Sequence, residues 1–186
     1  NYYYPHHVSA DAPETRHHIN NTGRPDEDCQ LSVKGQCRMV PGVWGVPRVN
    51  SPAAARTDWG WEIDPAGLTD LLLRAHRLRP GLPLIVTENG VGLKEAPDPD
   101  GRIRDLARIA FLESHLRAVH NAISAGADVR GYMMWATMDN FSWVNGYRKR
   151  YGFLFVDRAT LARTRKESSY WFERVARANS LEGGNP

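Results

Sequence analysis

The stretch in which residue type and position together suggest chemistry is Thr87-Glu88-Asn89-Gly90. Just before it, Pro83 to Thr87 (PLIVT) is a short continuous apolar run, the pattern required of a strand buried on both faces of a parallel sheet. Asn89-Gly90 supplies the turn that ends it. Glu88 is therefore a carboxylate where a buried strand gives way to a loop, and in barrel enzymes that C-terminal strand end is where catalytic groups project. Standing alone, the tetrapeptide would serve equally well as a helix cap or half of an ion pair. A second candidate is the cationic run Arg148, Lys149, Arg150, whose ordinary reading is a solvated loop. The histidine pairs His6, His7 and His17, His18 form no HExxH or other zinc pattern, so no metal is expected.

The elements that must position Glu88 read as three strand-then-helix units. The first opens with Asn1 to Val8 (NYYYPHHV), strand-like at its aromatic start and ended by Pro5. A polar region from about 9 to 57, rich in Pro, Gly, Asn and Asp, has no convincing periodicity and is read as a long loop or insertion. Asp64 followed by Pro65 is a helix start, Leu68, Leu71, Leu72 and Ala75 give that helix an apolar face, and Gly81 closes it. The second unit is the PLIVT strand and a helix striped by Leu112, Leu116, Val119 and Ile123, stopped at Gly126. The third is a buried strand over Val129 to Met138 and a last helix striped by Trp171, Val175 and Ala178, with a short extra strand at Tyr151 to Asp157. Alternating strands and helices imply a parallel α/β sheet, either open or closed into a barrel.

Composition narrows the classes. The chain has 186 residues, 41% hydrophobic and 24% charged, which describes one ordinary globular domain with enough apolar material for a core. The formal charge is +3 and the basic residues are spread out, so nucleic-acid binding is not suggested. Cys29 and Cys37 lack CxxC spacing and are too few for a disulfide framework, so free thiols and a cytoplasmic location are expected. No apolar run approaches the ~20 residues of a membrane span, and no membrane association is expected. The sequence begins at Asn1, without Met and already in a strand-like segment, so its true start is expected to lie elsewhere.

Four segments, LPLIVTENGVG, RIAFLESHLRAVHNAI, DVRGYMMWATMDNFSWVNGYRKRYGFLFVD and RTRKESSYWF, resemble glycoside hydrolase family 1 in order and spacing, as does NYYY at the start. The resemblance covers most of the chain from about residue 57 onward. It implies the C-terminal part, about strands six to eight, of a TIM (β/α)8 barrel. It also implies that Glu88 is the nucleophile of a retaining glycosidase and that no cofactor is needed. The family's acid/base Glu belongs to an Asn-Glu-Pro motif, which does not occur here. Retaining hydrolysis needs one carboxylate to attack the anomeric carbon and another, ~5 to 5.5 Å away, to handle the proton. The isolated chain is therefore expected to be inactive, and to require the rest of the barrel or to self-associate.

Further roles follow from the same resemblance. Asn1 and Tyr3 match a strand-six Asn-x-Tyr, in which the Tyr hydrogen-bonds the nucleophile and the Asn lies near the sugar. Trp135 matches the aromatic platform beneath the sugar. Ordinary β-glucosidases of the family carry Glu at the position of Ser142, gripping the sugar's 4- and 6-hydroxyls. The 6-phospho-β-glycosidases carry Ser, then Lys seven positions on, then Tyr two further, and Ser142, Lys149 and Tyr151 repeat that spacing. A hydroxyl, an ammonium and a phenol give donors to a phosphate dianion. Trp143, beside Ser142, leans towards galacto-configured substrates. The implied substrate is a phosphorylated β-disaccharide or aryl β-glycoside. The alternatives are an ordinary β-glucosidase or β-galactosidase, and a noncatalytic truncated remnant.

Overall fold

A computed structural model of the chain describes residues 1–5, 7–8, 39–40, 43–49, 55–142 and 146–181. Its centre is a parallel pair of strands, β4 (Leu84–Asn89) and β5 (Val129–Met134), each preceded and followed by a helix: α1 (Pro65–Leu78), α2 (Leu106–Ser124) and α3 (Glu167–Ala178). Before α1 lie β1 (His7–Val8), β2 (Met39–Val40) and β3 (Val43–Val49), an antiparallel sheet ordered β1-β3-β2. Between β5 and α3, β6 (Leu154–Val156) pairs antiparallel with β7 (Arg163–Arg165).

The helices start as the sequence dictates. Asp64 caps α1, its Oδ1 accepting the Gly67 N–H at 3.0 Å, and Pro65 occupies the first turn, where no N–H partner is needed. Helix α2 lies between the other two and so buries two faces. Leu68 and Leu72 of α1 and Val86 of β4 pack on Ala118, Val119 and Ala122. Its other face, Phe111 and Leu112, packs on Trp171 and Val175 of α3 and on Val91 and Leu93. Each fully buried Leu or Phe contributes roughly 1.5–3 kcal/mol. The expected α2 stripe is rotated accordingly: Leu112 and Val119 are buried, Ile123 is exposed, and Arg108, Phe111 and His115 turn inward instead.

Several expectations change. Residues 1–5 form no strand; Tyr2 N–H donates to Glu88 O at 2.9 Å, and the strand begins after Pro5, pairing with β3 instead. Within the polar region expected to be loop, β2 and β3 form a bulged antiparallel pair, hidden in the sequence because Gly45 and Pro47 interrupt the apolar residues of VWGVPRV. The continuous apolar run of β4 is covered on one face: Val86 is buried under the helices, whereas Ile85 is 53% exposed and, on β5, Met133 is 55% exposed. β5 is also shorter than expected. Its ladder stops at Met134, and residues 136–139 pair with 151–154 instead, through bonds such as Phe153 N to Ala136 O at 3.0 Å and Asp139 N to Leu154 O at 2.9 Å. Among the described residues no helix is long and apolar enough to cross a membrane.

Candidate active site

Glu88 is the penultimate residue of β4, half-buried, at the strand's C-terminal end. The Tyr3 hydroxyl donates to its Oε2 at 2.8 Å. Burial, and then this bond to a carboxylate, push the Tyr3 phenol above the ordinary tyrosine range, so it remains a protonated donor. Beside it, Thr87 Oγ1 donates to Asn1 Oδ1 at 2.6 Å, which places Asn1 at the same strand end on an exposed surface. Asn89, fully buried, fastens this corner: its Nδ2 donates to Tyr2 O at 2.6 Å, and its Oδ1 accepts from the Tyr132 hydroxyl of β5. Residues 1–3, β4 and β5 thus meet around Glu88.

Trp135 follows β5 directly. Its N–H donates to Asn89 O at 2.9 Å, and its peptide bond to Ala136 is cis. The residue is 39% exposed at the strand ends. This approach requires Gly90 to lack a side chain, because a Cβ there would lie 2.0 Å from the Trp135 carbonyl oxygen.

Of the cationic run, Arg148 is exposed and Arg150 half-buried, but Lys149 turns inward. Lys149 is 1% exposed, with its Nζ 4.4 Å from the centre of the Trp61 ring and 4.9 Å from that of Trp59. Burial, aided by the neighbouring Arg148 charge, pulls its ammonium down to about 7. Tyr151 is buried too, and burial raises its phenol above the usual range. Trp61 joins the two parts of the site, its ring centre lying 6.0 Å from that of Tyr3 and 6.4 Å from that of Tyr151. Ser142 exchanges backbone bonds with Gly146 at 2.8 and 2.7 Å, an isolated antiparallel bridge. Trp143 falls outside the described residues, as do Cys29 and Cys37.

Sequence reasoning missed the groups that hold these parts together. Trp59 and Trp61 stand in TDWGWEI, where two indoles a residue apart were the available signal. Asn89 was read as a turn residue and is a buried connector. A further cluster lies behind the site: Arg108, Lys166 and Arg150 against Glu95, Asp105 and Asp139. Lys166 Nζ donates to Asp139 Oδ1 at 2.9 Å and to Glu95, and Arg150 Nη1 donates to Asp139 Oδ2 at 3.0 Å. Three cations face three carboxylates, so the desolvated charges are mutually compensated. No linear signal marks these residues, since the carboxylates and cations come from five separate segments. Among the described residues no group of His, Cys, Asp or Glu is arranged to hold a metal ion.

This arrangement can be compared with known proteins. The model of a family described as glycosyl hydrolase family 1 matches residues 1–181. A 6-phospho-beta-galactosidase of Clostridium acetobutylicum is 41% identical over 182 residues, 97% of this chain and 36% of that protein. A 6-phospho-beta-galactosidase of Lacticaseibacillus rhamnosus is 45% identical over 76% of this chain and 31% of that protein. A thermostable beta-glucosidase B of Thermobispora bispora is 44% identical over 83% of this chain and 32% of its own length. Among solved structures, a beta-glucosidase from Thermotoga maritima in complex with castanospermine superposes with a TM-score of 0.71 at 35% identity, covering 74% of this chain and 31% of that one. The chain spans about a third of the length of the relatives it matches.

Proposed function

The chain belongs to glycosyl hydrolase family 1 and forms a C-terminal part of its TIM barrel; from that premise we propose that it carries the nucleophile and the sugar-recognition side of a retaining 6-phospho-β-glycosidase. The observation that carries the reading is the Tyr3 hydroxyl on the Glu88 carboxylate, 2.8 Å apart at a barrel-strand end. Glu88 attacks the anomeric carbon and forms a glycosyl-enzyme. A second carboxylate, contributed from outside these residues, protonates the leaving oxygen and then activates water to release the sugar with retained configuration. Tyr3 donates to Glu88 and holds its orientation, Asn1 lies at the sugar's edge, and Trp135 forms the platform under the ring. No cofactor is required by this chemistry.

Ser142, Lys149 and Tyr151 recognise a 6-phosphate, with Trp143 favouring the galacto configuration. The Ser-x6-Lys-x-Tyr spacing and the two 6-phospho-beta-galactosidase relatives support this reading. The substrates are phosphorylated β-disaccharides or aryl β-glycosides, encountered in the cytoplasm. The exposed faces of β4 and β5 are covered in the working enzyme by a polypeptide supplying the remaining strands, or by a second copy of the chain. The isolated chain is inactive.

The test is hydrolysis of nitrophenyl β-galactoside 6-phosphate and of its unphosphorylated counterpart, by the chain alone and mixed with a polypeptide supplying strands one to five. Phosphate-dependent turnover in the mixture, abolished by Glu88→Gln, supports the reading. Equal turnover of the plain sugar favours a second one, an ordinary β-glucosidase or β-galactosidase, towards which the seating of Lys149 between Trp59 and Trp61 and the Thermobispora relative point. No turnover in any mixture indicates a noncatalytic remnant.

A further inference from the structure

Arg108, on the α2 helix, reaches both loops of the site. It is fully buried, yet it lies on the first turn of a helix whose other inward residues are mostly apolar. Burying a guanidinium is costly unless its donors are matched by acceptors. Here Nε donates to Asp105 Oδ2 at 2.8 Å, Nη1 to Val91 O and to Tyr151 O at 3.1 Å, and Nη2 to Glu95 and to Arg150 O at 3.0 Å. Three of these acceptors are backbone carbonyls. Val91 is three residues beyond Glu88, while Arg150 and Tyr151 immediately follow Lys149.

The same two segments touch directly. Leu93 N–H donates to Arg150 O at 3.0 Å and Arg150 N–H to Leu93 O at 3.1 Å, an isolated antiparallel bridge. That bridge supplies two hydrogen bonds at a single pair of residues. Arg108 adds bonds on both sides of it, from a rigid helix, with a planar fork that lysine cannot reproduce. Glu95, held also by Lys166, and Asp105, which accepts the Ser168 N–H at 2.8 Å, fix the guanidinium in turn.

We propose that Arg108 is a positioning residue that sets the spacing between the Glu88 loop and the Lys149–Tyr151 segment, and so couples recognition of the sugar's 6-substituent to the cleavage point. This rests on the 6-phospho-glycoside reading above. A substrate gripped at both its phosphate and its anomeric carbon feels an error in that spacing; a plain glycoside, held at the sugar ring, feels much less of it. The coupling acts through the two loops, since Arg108 itself touches neither end of a substrate.

The experiment compares the parent chain with Arg108→Lys, each completed with strands one to five, by kcat/KM on the phosphorylated and plain nitrophenyl β-galactosides. Hydrogen exchange of segments 90–95 and 148–152 is followed by mass spectrometry in parallel. Arg108→Gln, neutral but still a donor, replaces the lysine variant if that one does not fold by circular dichroism. The expected result is a loss of about tenfold or more on the phosphorylated substrate, less than about threefold on the plain one, and faster exchange in both segments together. Equal losses on the two substrates, or unchanged exchange, overturn the proposal. If the parent itself shows no preference for phosphate, the substrate reading has failed and with it the coupling to the 6-substituent. Exchange then decides the spacing role alone, which linked deprotection of the two segments supports and unlinked deprotection overturns.

Discussion

Replacing Lys149 with Met should stabilise the chain at neutral pH and remove a pH-dependent part of its stability. The side chain is fully buried, and its ammonium is drawn from the ordinary 10.5 down to about 7. At about 1.4 kcal/mol per tenfold change in proton affinity, that gap corresponds to roughly 5 kcal/mol against the charged form. The Trp61 and Trp59 faces, with centres 4.4 and 4.9 Å from Nζ, meet that charge, so roughly 5 kcal/mol is an upper bound on the net cost. Below about pH 7 Lys149 is protonated in both folded and unfolded chains, and the cost is present in full. Between about 7 and 10.5 the unfolded chain binds the extra proton, so stability rises with pH; above that range the cost is gone. The Tyr3 and Tyr151 phenols, raised in the folded chain, ionise at about 10 only when it unfolds, which lowers stability at the top of this range equally in parent and variant. Met has nearly the same length and no charge, so its curve should lack the rise. Urea unfolding at several pH values between about 6 and 10 measures both curves. Parallel curves, or a variant no more stable than the parent at about pH 7, would refute the burial argument.

Other outcomes follow from named contacts. Gly90→Ala brings a Cβ to 2.0 Å from the Trp135 carbonyl, and backbone cannot rotate away as a side chain can; the β4 and β5 ends must separate by about 1 Å and the Trp135–Asn89 bond must weaken. A stability loss of about 2–4 kcal/mol on urea unfolding is expected, with altered indole fluorescence. Tyr3→Phe deletes a donor to a carboxylate, worth roughly 1.5–3 kcal/mol, so the completed enzyme should lose about tenfold to a hundredfold in kcat. Lys166→Met leaves Glu95 and Asp139 short of a buried partner and should destabilise by about 3–5 kcal/mol, measured by the same unfolding assay. Leu112→Ala, at the fully buried centre of the α2–α3 core, should cost about 2–5 kcal/mol.

The sequence by itself determined what is local or carried by contiguous pattern. Asp64-Pro65 started a helix because a cap and a missing N–H act within one turn, and the helical stripes and the PLIVT run placed α1, α2, α3 and β4 because periodicity is a property of neighbours in the chain. Family membership and the candidate role of Glu88 were legible for the same reason: TENG is one short segment whose surroundings repeat in order. Tertiary structure decided which face of each element is buried. Ile123 and Ile85 fit their stripes and remain exposed, because burial depends on what lies opposite. It also ended β5 early, since residues 136–139 found better partners at 151–154 than along the sheet. It turned Lys149 of the cationic run inward, where it meets two indoles from a segment some ninety residues away. And it assembled Asn89 with Tyr132 and Arg108 with Val91, Arg150 and Tyr151. Each of these bonds joins distant segments, and a hydrogen bond between them exists only once packing has brought donor and acceptor within about 3 Å.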